Sequence, residues 1–92
     1  MIPLVPGRVV CSKAGRDAKR MFIILQALDE RHVTIADGDL RKVASPKKKK
    51  YMHLIPKQEC FPSLVEMYQT GRLLDADVRN CLARVRLTRK EG

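Results

Sequence analysis

The first two-thirds of the chain consists of short apolar stretches whose alternation and β-branched content favour strands. Turn-forming residues separate five of these stretches, and we predict strands over 7–12, 20–28, 32–36, 40–43 and 51–55. The second stretch is almost entirely apolar, which predicts a central strand covered on both faces. Asp37-Gly38 is a strong turn signal, because glycine adopts positive φ at little steric cost. Five short strands cannot cover two flat sheets, so we expect a mainly β fold: a small, strongly bent barrel without unpaired edges.

The last third of the chain changes to a helical period. A first helix is predicted around Leu64, with a stop at Thr70-Gly71, and Asp75 is placed to cap a second helix. In the second helix the apolar positions recur at i, i+3, i+4 and i+7: Val78, Cys81, Leu82 and Val85. We expect this stripe to be buried on the barrel or on the first helix, the alternative being contact with a partner helix or a second copy. The chain thus divides into a barrel at 1–58 and a short C-terminal helical tail at 59–92.

The amino-acid composition indicates which classes of binding partner to expect. The 92 residues contain 19 Lys and Arg against 10 Asp and Glu, a net charge of +9, and most of this charge falls in the barrel segment. One small domain of this length has a thin core, so a deep small-molecule substrate cavity is not expected. A strongly basic balance favours polyanions, either nucleic acid or an anionic membrane surface. The membrane is the weaker choice, because the cations fall on predicted loops and not on an amphipathic basic helix.

The N-terminal sequence, the apolar runs and the cysteines together predict the cellular compartment. The N-terminal stretch is too short and too rich in proline for a signal peptide, and the longest apolar run covers only 21–25. The cysteines are odd in number and widely spaced, which favours reduced thiols: Cys11, Cys60 and Cys81. We expect a soluble cytoplasmic protein.

The candidate chemistry lies in basic segments between the predicted strands. In the first, Gly15 permits a sharp turn and a close approach, so that the surrounding cations could grip a phosphate: Lys13, Arg16, Lys19 and Arg20. A solvated hairpin is the alternative interpretation. The second group consists of Arg41 and Lys42 together with a lysine run taken as a loop: Lys47, Lys48, Lys49 and Lys50. In a small barrel such loops can gather at one rim and form a single basic surface.

One stretch resembles a known motif. The sequence "PGRVVCSKAGRDAKRMFIILQALDERHVTIADGDLRKV" is similar to the KOW motif, in which a strand, a basic loop centred on a glycine and a long apolar strand follow one another. Over residues 5–56 the chain resembles bacterial KOW-domain RNA-binding proteins and the archaeal and eukaryotic large-subunit ribosomal protein family numbered fourteen. The resemblance implies an SH3-like barrel that binds RNA, usually ribosomal RNA. It places Gly15 at the motif glycine and the 13–20 cations on the RNA-facing loop, although Ala18 stands where such loops often carry a second glycine.

The remaining residues bear on the kind of partner. Aromatic side chains are few, and Tyr51 is the one plausible exposed base-stacking residue, so we expect folded RNA to be bound through shape and phosphates. His32 and His53 are far apart, and CxxC or HxxxH spacings are missing from the sequence, which argues against a metal site, a cofactor or catalysis.

The sequence therefore predicts a non-enzymatic RNA-binding protein that acts on ribosomal RNA or the ribosome through basic barrel loops. The alternative is a protein–protein interaction module of a transcription- or ribosome-associated factor, with a partner docked on the C-terminal helices. Salt separates the two hypotheses, because a phosphate contact weakens steeply with ionic strength and an apolar contact does not.

Overall fold

The computed structural model describes residues 2–13 and 20–88, which form a mainly β fold with two helices. The elements in chain order are β1 (Arg8–Ser12), β2 (Met21–Ala27), β3 (His32–Ala36), β4 (Lys47–Lys50), a 3₁₀ turn (Tyr51–His53), β5 (Leu54–Cys60), α1 (Pro62–Gln69) and α2 (Asp75–Thr88). The strands form one antiparallel sheet in the order β4-β3-β2-β1-β5. Its two edge strands, β4 and β5, are not paired with each other, so the closed barrel expected from the sequence is not confirmed.

The fourth strand does not lie at the position predicted from the sequence. Residues 40–43 form part of a turn, in which the backbone N–H groups of Asp37 and Gly38 donate to the Arg41 carbonyl at 3.0 and 3.1 Å. The strand that pairs with β3 is instead the lysine run, with Lys47 opposite Ile35 and Lys49 opposite Val33. Lysine is a poor strand former by composition, but an edge strand tolerates it because the aliphatic stem covers the sheet while the charge stays in water.

The last predicted strand, 51–55, begins later than expected. Tyr51–His53 form the 3₁₀ turn, and β5 then runs from Leu54 to Cys60, passing through Pro56. An edge strand accepts proline because one side of it makes no ladder hydrogen bonds. β5 pairs with β1, where Ser12 lies opposite Leu54.

Two apolar clusters lie on opposite faces of the sheet, and β2 contributes to both because successive side chains alternate. The helix-facing cluster joins strands and helices: Val9, Ile23, Leu25, Ala36, Leu64, Leu73, Val78, Leu82 and Val85. The opposite cluster is built from strand residues: Val10, Phe22, Ile24, Val33, Ile35 and Leu54. The four residues 22–25 are all at most 2% exposed, which confirms that the central strand is covered on both faces.

The helices agree with the apolar periodicity. Val78, Leu82 and Val85 of α2 are buried in the helix-facing cluster, so the stripe packs within the chain. The capping role expected for Asp75 is not what the structure has: its Oδ1 accepts a hydrogen bond from the backbone N–H of Val43 at 2.7 Å. This bond ties the start of α2 to the β3–β4 connection. Within residues 2–13 and 20–88, every helix is too short or too polar to cross a bilayer.

Candidate nucleic-acid interface

Two of the basic segments leave the same end of the sheet. In the order β4-β3-β2-β1-β5, the β1–β2 and β3–β4 connections both lie at the end where β1 finishes and β2 begins. Arg20 at the end of the first connection reaches Asp37 at the start of the second, with Nη2 and Oδ2 2.8 Å apart. One described residue of the first connection therefore contacts the second connection directly. Gly15, Arg16 and Lys19 lie outside the described residues.

Arg20 is committed to acidic neighbours. Besides Asp37, its Nη2 lies 3.6 Å from Oδ2 of Asp39, and the side chain is 35% exposed. Asp37 is buried, and its Oδ1 accepts the backbone N–H groups of Asp39 and Arg41, each at 2.9 Å. Burial by itself raises the pKa of the Asp37 carboxyl, but the hydrogen bonds from Arg20, Arg41 and Asp39 outweigh it and hold that pKa below its ordinary value. Arg20 thus anchors the two connections, and its charge is compensated.

Asp37→Asn should lower the free energy of unfolding by about 2 kcal/mol at neutral pH, the scale of hydrogen bonds to a charged group. Because the folded-state pKa lies below 3.8, the stabilising contribution is present above that value and is lost as the pH falls through the folded-state pKa. Urea unfolding of both proteins as a function of pH should show a difference that shrinks on acidification. Equal stability at neutral pH would contradict the role given to Asp37.

Arg41 and Lys42 differ in what they contribute. The main chain of Arg41 closes the Asp37 turn, and its side chain is half-buried. Lys42 is exposed, and its carbonyl accepts the Ser45 N–H at 3.0 Å. Lys42 is therefore the residue of this pair whose charge stands in solvent.

The lysine run is an edge strand, which corrects its assignment to a loop. Directly opposed residues of an antiparallel pair share a face. Lys48 and Lys50 are exposed and lie opposite Thr34 and His32, whereas the half-buried Lys47 and Lys49 share the face of the opposite cluster. The strand period places the exposed pair on one face, about 7 Å apart along the chain. A regular strand thus presents two ammonium groups at fixed spacing.

Five of the predicted lysines form no ion pair within the part of the chain that the structure describes. Within the described ranges, the ion pairs involve none of the following residues, which we call the lysine group: Lys13, Lys42, Lys48, Lys49 and Lys50. Arg20, in contrast, faces two carboxylates. Among the described site residues, the positive charge outside ion pairs therefore lies on lysine ammonium groups and not on Arg20.

The 3₁₀ turn adds a cation that sequence reasoning missed. Tyr51 donates its backbone N–H to the carbonyl of Arg31, and His53 accepts the backbone N–H of Lys13, both at 2.9 Å. The turn thus lies between the end of β1 and the β2–β3 connection, with Lys50 directly before it. Arg31 is exposed, and it is not among the site residues predicted from the sequence. Its proximity to Lys50 follows from the β3–β4 pairing, for which the sequence carries no local signal.

A cavity of about 280 Å³ lies where α2 meets the Asp37 turn, and several charged groups line it: Arg20, Asp37, Asp39, Arg79 and Arg86. Arg79 donates from Nη1 to the Gly38 carbonyl at 2.7 Å. Three guanidinium groups line the cavity. That of Arg20 contacts the carboxylates of Asp37 and Asp39, and that of Arg79 contacts the Gly38 carbonyl. These contacts join α2 to the loop end of the sheet.

The histidines and cysteines are not brought together. His32 Nδ1 lies 3.0 Å from Oδ1 of Asp29, whose pKa is lowered chiefly by the Arg31 backbone N–H and also by the His32 ring. The cysteines are half-buried, and burial raises the pKa of the Cys81 thiol. Among the residues that the structure describes, His, Cys, Asp and Glu side chains form no group of three that could hold a metal ion.

The sequence matches no known protein family, and no curated protein is significantly similar to it.

Proposed function

We propose that the protein is a non-enzymatic RNA-binding module that contacts structured RNA through phosphates. The observation that carries this proposal is the lysine group, whose charges have no acidic partner within 2–13 and 20–88. Two of these lysines stand on one face of a regular edge strand. The KOW resemblance of residues 5–56 points to ribosomal RNA as the natural target and to the cytoplasm as the compartment.

An SH3-like barrel is the architecture that we propose for the strands. Its support is the 3₁₀ turn, which links β4 and β5, the two strands that are not paired with each other. The turn is hydrogen-bonded to Arg31 on one side and to Lys13 on the other. The opposite cluster lies on the face of the sheet away from the helices. In this arrangement the proposed RNA surface combines the lysine group with the cations of the 13–20 segment, of which Arg20 is held by Asp37.

Phosphate recognition suits lysines on this scaffold. A-form RNA is bound mainly through its shape, its phosphates and its 2′-hydroxyl groups, because its deep major groove is too narrow for side chains to read. Lysine supplies a compact charge without a preferred plane, so it neutralises a phosphate without reading a base. Each neutralised phosphate releases counterions, which makes affinity fall with salt.

A protein-interaction module is the second candidate. The apolar stripe of α2 is buried, so a partner on the helices would have to use other apolar side chains, of which Leu74 is 64% exposed. Leu40 in the β3–β4 connection is 61% exposed. Such a contact would persist at high salt.

The double substitution Lys48→Gln and Lys50→Gln tests the proposal. Losing two phosphate contacts should weaken binding to a structured ribosomal RNA fragment about tenfold at physiological salt, because each contact contributes through counterion release. Binding is measured by fluorescence anisotropy with a labelled RNA.

Lys57→Gln with Arg72→Gln is the matched control, because it removes the same net charge from β5 and from the α1–α2 connection. We expect it to keep most of the affinity. Equal weakening by both double variants would mean that net charge alone, and not the β4 strand, determines binding.

A further inference from the structure

A small cavity opens beside the 3₁₀ turn, apart from the sheet end where the two basic connections meet. It measures about 270 Å³ and is lined by five consecutive or opposed residues of two segments: Glu30, Arg31, Lys50, Tyr51 and Met52. Its size suits one planar ring more than a drug-sized ligand. An aromatic ring, a thioether and two cations line it, and the phosphate contacts proposed for the lysine group do not use this combination.

Tyr51 is fixed in place at this cavity. Its side chain is half-buried and packs against the opposite cluster, while its backbone N–H is bound to the Arg31 carbonyl at 2.9 Å. Met52 beside it is 68% exposed, an unusual degree for a large apolar side chain. A ring held by the core and accessible from a cavity is pre-organised for stacking, because little conformational entropy remains to be lost on binding.

The charges around the cavity favour an anion next to that ring. Arg31 and Lys50 contribute two positive charges against one carboxylate, Glu30, and among the described residues none of these three groups is in an ion pair. A planar guanidinium can hold a phosphate or stack on a base, and a carboxylate can accept a base amino group. A nucleotide offers all of these complementary features together.

We infer that this cavity receives a single unpaired nucleotide of the bound RNA, with its base on Tyr51 and Met52 and its phosphate at Arg31 and Lys50. The inference rests on the proposed function, to which it adds a preference for RNA with an extruded base. Stacking of a base on an aromatic side chain strengthens binding by about 5- to 150-fold. The other members of the lysine group grip the helical part of the RNA, and the cavity selects the position along it.

The test compares two RNA hairpins with the same stem, one fully paired and one with a single bulged nucleotide. The wild-type protein should bind the bulged hairpin about tenfold more tightly in anisotropy titrations. Tyr51→Leu should remove this preference while leaving affinity for the paired hairpin, and Tyr51→Phe should retain it. Tyr68→Leu is the matched control, because Tyr68 packs against the helix-facing cluster.

Met52→Glu keeps the test decisive if Tyr51→Leu fails to fold. The exposed side chain tolerates replacement, and a second carboxylate in the cavity should abolish the preference for the bulge. Equal affinity of the wild-type protein for both hairpins overturns the inference while leaving RNA binding intact. Binding to neither hairpin removes the proposed function as well. Displacement of the bulged hairpin by a poly-glutamate peptide at comparable concentration would assign the cavity to acidic peptides and overturn the inference.

Discussion

Replacing Gly38 by alanine should lower the free energy of unfolding by about 3 kcal/mol or more. Gly38 has φ of +78°, a conformation that side chains other than glycine adopt at a cost of about 1–2 kcal/mol. A Cβ atom placed there would lie 2.3 Å from the Asp75 carbonyl oxygen and 2.9 Å from Cγ of Arg79. The first collision is with backbone, so the start of α2 would have to move away from the Asp37 turn.

Gly71→Ala is the matched control for this experiment. Gly71 also has positive φ, +75°, but nothing lies within 4 Å of the position that its Cβ would take. We expect Gly71→Ala to cost only about 1 kcal/mol in urea unfolding, the backbone contribution alone. The difference between the two variants measures how closely α2 packs on the loop end of the sheet. Equal destabilisation by both substitutions would contradict that packing.

Leu82→Ala is expected to have a comparably large effect. Leu82 is 1% exposed and lies in the helix-facing cluster, where strands and both helices meet. Removing a buried leucine side chain usually costs about 2–5 kcal/mol, because transfer free energy is lost and a cavity remains. Asn80→Ala on the exposed side of the same helix should change stability by less than about 0.5 kcal/mol. An unchanged urea midpoint for Leu82→Ala would mean that α2 does not close this face of the sheet.

The two stability predictions bear on function because the packing of α2 determines where the basic connections lie. Asp75 binds the Val43 N–H, and Arg79 binds the Gly38 carbonyl, so the helix holds the β3–β4 connection at both of its halves. Displacing α2 would release the segment that carries Lys42 and that precedes the lysine strand. Helices that the sequence presented as an appendage therefore help to position the proposed RNA surface.

Local pattern predicted those elements in which period and burial agree. β2 and β3 were located because their apolar positions are numerous or alternate cleanly, and the α2 stripe because it repeats at i, i+3, i+4 and i+7. β4 was missed because four lysines carry no apolar period, and only pairing with β3 makes them a strand. The strand predicted over residues 40–43 was wrong for the opposite reason. Hydrogen bonds to the Asp37 side chain organise a turn there, and this turn overrides the local strand propensity.

The sequence predicted which basic residues belong to the candidate site, but it could not predict how they are arranged and paired in space. The sequence identified the lysines, yet it could not show that Arg20 is paired with Asp37 seventeen positions away, while the lysine group forms no ion pair within the described ranges. Arg31 lies beside the lysine strand because β3 pairs with β4 and because Tyr51 donates its N–H to the Arg31 carbonyl, and both contacts join distant segments. Charge counts along a chain include compensated and uncompensated groups alike, and only tertiary contacts separate them.

The salt dependence of RNA binding tests the central claim most directly. The affinity of the wild-type protein for a structured ribosomal RNA fragment should fall linearly on a log–log plot against salt, with a slope of about −3 to −5, as expected for roughly four to five neutralised phosphates. Lys48→Gln with Lys50→Gln should reduce the magnitude of that slope by about 1.5. An affinity that does not change with salt, or a slope that the double substitution leaves unaltered, would contradict the assignment of the lysine group to RNA phosphates.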